Sequence, residues 1–123
     1  MIIAHERTAP SIDVPEPHQR TLKVLLSPIL HRELDRLAAG LTIIPPGGSS
    51  DSHAHEEGEM FYVLAGKSSI TIGKEKRDLI PGTAVWGPPG ISHQLFNNSD
   101  ETCKILWVLS PPGREKSIID SAR

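Results

Sequence analysis

The chain has 123 residues, of which 37% are hydrophobic and 23% charged, and its formal net charge is −2 at pH 7. A single domain of this length buries a core of its own without disulfides. The near-neutral charge excludes the electrostatic footprint of a nucleic-acid or anionic-membrane binder. One cysteine, Cys103, rules out an intrachain disulfide and a multi-cysteine zinc site, and its scarcity points to the cytoplasm. Cys103 opens an apolar run and reads as packing, not as a nucleophile. No apolar run reaches the length of a membrane span, and MIIAHERTAP lacks the basic-then-apolar pattern of a secretory leader.

In chain order, residues 1–20 carry Pro10, Pro15 and Pro17 among polar residues and are expected to form an extended arm. A barrel domain is expected over 21–112, and a tail over 113–123. TLKVLLS (Thr21–Ser27) reads as a strand closed by Pro28. In the next segment, RELDRLAAG has helical propensity with Gly40 as a stop. It offers only about two turns, however, and runs into the β-branched LTII, so its latter half is expected to be strand. Beyond Pro45-Pro46-Gly47-Gly48 come the short runs MFYVLA, SSITI, RDLI, TAVW, SHQLF and CKILWVL, separated by glycine, proline and asparagine turns. Turn signals every eight to twelve residues or so predict an all-β sandwich or barrel with little helix.

The stretch GSSDSHAHEEGEMFYVLAG carries the chemistry. Residues i and i+2 of a strand share a face, so His53 and His55 project side by side. On a helix the pair would diverge by about 200° and could not share an ion. Glu59 has the same parity, but an unbroken strand would hold it roughly 20 Å from His53. Metal bonds are about 2.0–2.2 Å long, so the chain must bend between them. Glu56-Glu57-Gly58 is the expected bend, with Gly58 free to take positive φ. His93, just after the GPPG turn, offers a fourth ligand. Three imidazoles and one carboxylate suit a single divalent transition ion: Mn, Fe, Co, Ni, Cu or Zn. One carboxylate leaves such an ion at about +1, which favours an anionic or enolisable oxygen ligand. His5, His18 and His31 lie outside this pattern and are expected on the surface.

Strand parity also describes the pocket. An inward Glu59 brings Phe61 and Val63 inward and sends Met60, Tyr62 and Leu64 outward. An inward His93 brings Leu95 inward, and a solvated Lys104 turns Ile105 and Trp107 inward. The expected substrate pocket, lined by Phe61, Val63, Leu95 and Trp107, is therefore apolar. Outside the metal ligands it holds no inward carboxylate, lysine or tyrosine to act as general acid or base. Arg20, Lys23 or Arg36 could reach its mouth from the arm or a partner subunit.

Two spaced patterns are complete. G-x5-H-x-H-x3-E-x6-G is met by Gly47, His53, His55, Glu59 and Gly66. G-x5-P-x-G-x2-H-x3-N is met by Gly82, Pro88, Gly90, His93 and Asn97. In these residues the sequence resembles the cupin superfamily. The resemblance implies a jelly-roll β-barrel with one metal ion held inside by His53, His55, Glu59 and His93. It also implies a homodimer, with the N-terminal arm packed across the partner. The expected activity is that of a metal-dependent enzyme on a small oxygen-bearing metabolite. With iron this is a dioxygenase; with manganese, nickel or zinc it is a lyase or isomerase proceeding through a metal-bound enolate. The alternative is a non-catalytic small-ligand-binding or sensor module. Neither nucleic acid nor membrane is an expected partner.

Overall fold

Alternation of apolar and polar side chains builds most of the structure, a computed structural model that describes all residues, Met1–Arg123. The strands are β1 (Ser11–Val14), β2 (Arg20–Leu26), β3 (Ala38–Ile44), β4 (Gly58–Ala65), β5 (Ser68–Ile72), β6 (Glu75–Leu79), β7 (Ala84–Gly87), β8 (His93–Phe96) and β9 (Cys103–Ser110). A short helix, α1 (Glu115–Ser121), ends the chain. One sheet has the order β1-β2-β3-β9-β4-β7 and the other β6-β5-β8. The two face each other as an all-β jelly roll.

In β9 every second residue, Cys103, Ile105, Trp107 and Leu109, is buried. These meet Phe61 and Val63 of β4, Ile70 of β5 and Leu95 of β8 in one core. Burying one such side chain contributes about 1.5–3 kcal/mol, so these facing rows hold the two sheets together. The outward residues Tyr62 and Leu64 remain exposed.

Three local expectations differ from the structure. RELDRL forms turns, while the latter half of that segment is the expected strand, β3, with Gly40 inside it instead of ending a helix. The reason is tertiary: β3 pairs with both β2 and β9, and that ladder outweighs two turns of helical propensity. The helix lies in the tail, where EKSIIDS buries Ile119 against the core. Gly58 does not adopt positive φ. It opens β4 opposite Ser110, and a Cβ there would overlap the Trp86 ring, so its missing side chain makes room for packing. Positive φ is used instead at Gly66 (φ 75°), at the β4–β5 corner, where a Cβ would also overlap the Thr102 carbonyl.

The arm folds onto its own chain. Within it β1 pairs antiparallel with β2, and Glu6 reaches Lys104 of β9 at 2.7 Å. No helix is long and apolar enough to cross a membrane.

Candidate metal centre

His53 sits in an extended segment that runs beside β8 with only isolated bridges, Ser49 to Phe96 and His53 to His93. The His93 N–H donates to the His53 carbonyl at 3.1 Å, so the two residues face each other directly across the pair. His55 is held by the following turn, where the Gly90 N–H donates to its carbonyl at 2.7 Å. The chain then bends at Glu56 and Glu57, and Glu59 enters from β4. One side of the site thus belongs to each sheet.

The bend brings together what an unbroken strand would separate. Glu59 Oε1 lies 3.3 Å from His55 Nε2 and 3.2 Å from His93 Nε2. One ring nitrogen from each of His53, His55 and His93 lies within 4.8 Å of the others. His53 Nδ1 is 3.1 Å from the Asp51 carbonyl. A proton on Nδ1 leaves Nε2 as a lone-pair donor, the tautomer a metal requires. That Nε2 is buried without a hydrogen-bond partner, as are Nδ1 of His55 and of His93, while His55 Nε2 has only the Glu59 carboxylate beside it. Orphaned buried imidazole nitrogens are costly unless something binds them. Ligands sharing an ion through bonds of about 2.1 Å stand roughly 3.0–3.4 Å apart, which matches the Glu59 spacings. The residues fit a divalent transition ion.

Electrostatics agree with that assignment. Burial works to raise the Glu59 pKa, but the neighbouring His55 and His93 rings outweigh it, and the carboxyl stays below its ordinary value. Burial lowers the His53 pKa, helped by the charges of Arg114 and His93, which keeps the ring neutral and able to coordinate. Phe61 packs its ring edge against His93, with centroids 5.3 Å apart.

Beside these residues a cavity of about 300 Å³ opens between the sheets. Phe61, Leu95 and Trp107 line it, whereas Val63 points into the core below and does not. The expectation of a wholly apolar pocket without inward carboxylates needs correction. Asp51, Arg20, Arg114 and Glu115 also face the cavity. Arg20 comes from the chain's own β2 and pairs with Asp51 at 3.1 Å, its side chain 11% exposed. Burial works to raise the Asp51 pKa, but Arg20 and the local backbone outweigh it, so the carboxyl lies below its ordinary value. Glu115 is buried and accepts hydrogen bonds from Ser27 Oγ and the Gly113 N–H, each 2.6 Å long. Lys23 and Arg36 are elsewhere: Lys23 donates to the Glu6 carbonyl, and Arg36 is exposed beside Asp35. His5 is exposed as expected, while His18 is half-buried and bonded to Ser49 Oγ.

Two signals in the sequence point to the charged residues of the cavity. Asp51 shares the i, i+2, i+4 parity of His53 and His55. The run REKSIIDSAR after Pro-Pro-Gly has the composition of a helix that starts at a turn.

A jelly roll with three histidines and a glutamate converging between its sheets defines a cupin, and comparison with known proteins agrees. The Cupin domain family model matches residues 40–109, and the chain belongs to that family. An uncharacterized protein of Streptomyces coelicolor is 30% identical over 76 residues, which cover 62% of this chain and 71% of that protein. Among solved structures, a predicted oxalate decarboxylase of Thermotoga maritima aligns with a TM-score of 0.79 at 18% identity, covering 90% of this chain and 100% of that one. The polyketide cyclase RemF of Streptomyces resistomycificus aligns with a TM-score of 0.77 at 25% identity, covering 91% of this chain and 80% of its own.

Proposed function

We propose that the chain is a metal-dependent cupin enzyme acting on a small oxygen-bearing metabolite, as a dioxygenase or as a lyase or isomerase. The observation that carries this reading is the group of three imidazoles, His53, His55 and His93, with Glu59 within 3.3 Å of two of them, beside a ligand-sized cavity. His53, His55, Glu59 and His93 would hold the ion. A divalent ion there supplies Lewis acidity, and as iron also redox chemistry.

The chain's own residues position and shield. The Asp51 carbonyl fixes the His53 tautomer. The Asp51 carboxyl, kept below its ordinary pKa, is a weak base at neutral pH and serves to orient Arg20. Phe61, Leu95, Trp107 and Leu109 exclude water from the inner wall. The reading includes a homodimer, for which Tyr62 and Leu64 offer exposed apolar side chains on the outer face of β4.

The test is the metal content of the purified protein by elemental mass spectrometry, beside a His53→Ala, His93→Ala double variant. About one equivalent of a transition metal, lost in the variant, supports the site. No binding of manganese, iron, nickel or zinc would overturn it. Oxygen uptake by the iron-loaded protein with β-diketones or catechols would select the dioxygenase. A metabolite bound tightly and recovered unchanged would select the non-catalytic module instead.

A further inference from the structure

The cavity has two unlike walls. Ile12, Val14, Leu22 and Ile118 form an apolar strip from β1, β2 and α1, and Arg20 and Arg114 lie among them. The two arginines differ in how they are engaged. Arg20 donates to the His18 carbonyl at 2.8 Å and to Asp51 at 3.1 Å, so its charge is already matched. Arg114 lines the same cavity but is exposed to solvent, and it makes no side-chain hydrogen bond or ion pair; only its carbonyl is engaged, by Ser117. Of the acidic groups facing the cavity, Glu115 spends both oxygens on Ser27 and Gly113, Asp51 pairs with Arg20, Glu59 faces His55 and His93, and none pairs with Arg114. An unmatched guanidinium over an apolar strip is complementary to a carboxylate with a hydrocarbon body.

We propose that the ligand of this cavity is a small carboxylate with an apolar portion, its carboxylate held by Arg114 and its hydrocarbon laid along Ile12, Val14, Leu22 and Ile118. Arg114 is then the specificity-determining residue, set at the cap position just ahead of α1. The inference rests on the reading of this cavity as the ligand site beside the metal. It narrows the substrate class to carboxylates with an apolar portion that a cavity of about 300 Å³ admits.

The probes are hexanoate and its neutral isostere hexanamide, titrated by calorimetry into zinc-loaded and metal-free protein, wild type and Arg114→Gln. Hexanoate is expected to bind about tenfold more tightly than hexanamide to the wild type. Arg114→Gln should remove most of that preference, leave hexanamide unchanged and retain the same zinc content by elemental mass spectrometry. A preference that survives intact in Arg114→Gln would overturn the proposal while leaving the metal site standing. Equal affinity for both probes, including no binding of either, would overturn it as well. Failure of the protein to take up zinc would count against the metal site alone, and the metal-free titrations of the two proteins would still decide the role of Arg114.

Discussion

Glu115 accepts a 2.6 Å hydrogen bond from Ser27 Oγ across 88 residues of sequence, in a site from which both side chains are excluded from solvent. This bond fastens α1 to the end of β2 and so sets the outer wall of the cavity. Ser27→Ala leaves one buried carboxyl oxygen without its donor and should cost about 1–3 kcal/mol of stability. Urea unfolding at unchanged slope would read this as a lower midpoint. Amide exchange in α1 should accelerate relative to β9, and unchanged exchange there would show that the helix is held by Ile119 packing alone.

Glu59 contributes the only charge among the four proposed ligands and stands within 3.3 Å of two of them. Glu59→Gln keeps the shape and removes the charge. Metal affinity, measured by competition with a chromogenic chelator, should fall by at least the ~10–100-fold that loss of a supporting partner costs. Unchanged affinity would reduce the ligand set to the three histidines.

Much of this site was legible because β-structure has a period of two. Knowing that Glu59 faces inward is enough to bury Phe61 and Val63 and to expose Tyr62 and Leu64. A solvated Lys104 likewise buries Ile105 and Trp107. Parity says which face, not how deep, so Val63 fell below the cavity and not on its wall. The arm and tail were opaque for another reason. Ile12, Val14 and Ile118 gain meaning only where β1 and α1 close over β2, and no short window contains those contacts. Arg114 and Glu115 look like ordinary helix-start charges until Ser27 and the cavity surround them. RELDRL misleads in the opposite sense, because local propensity is weak beside a strand paired on both edges.

The Glu6–Lys104 pair ties the N-terminal arm to β9. The hydrogen bond from Lys104 lowers the Glu6 pKa against a smaller opposing effect of burial. A depressed folded-state pKa gives stability that is present above the unfolded value and lost as pH falls through the folded one. The arm contact should therefore hold at neutral pH, begin to weaken only below the ordinary glutamate value of about 4.3, and be lost as pH falls through the lower folded-state value. Limited proteolysis of the arm between pH 6 and pH 3 would show this, and Glu6→Gln should abolish the pH dependence while loosening the arm at neutral pH.

Cys103 behaves oppositely. Burial raises its thiol pKa, only partly offset by the neighbouring Ser68 hydroxyl. A raised pKa means the stability linked to the neutral thiol is intact below the unfolded value, about 8.5, and is lost as pH rises through the folded one. At pH 8 the native protein should react with an aromatic disulfide reagent only as fast as it unfolds. Fast labelling in the absence of urea would mean that the β4–β9 region opens locally.

Gly40 lies in the middle of β3, where a Cβ would overlap both the Lys23 carbonyl oxygen and the Trp107 ring. The first obstacle is backbone, and it cannot retreat without opening the β2–β3 ladder at its Val24–Gly40 pair. The second is the side chain that lines the cavity. Gly40→Ala should therefore destabilise the fold by about 1–3 kcal/mol or more, as overpacking does, and should also displace Trp107. Trp86 is 54% exposed and Trp107 only 3%, so a Trp86→Phe background isolates the buried indole. In that background Gly40→Ala is expected to shift the emission to the red and to weaken ligand binding at unchanged metal content. A native spectrum with lowered stability would place the whole strain in the β2–β3 ladder and leave the cavity wall intact.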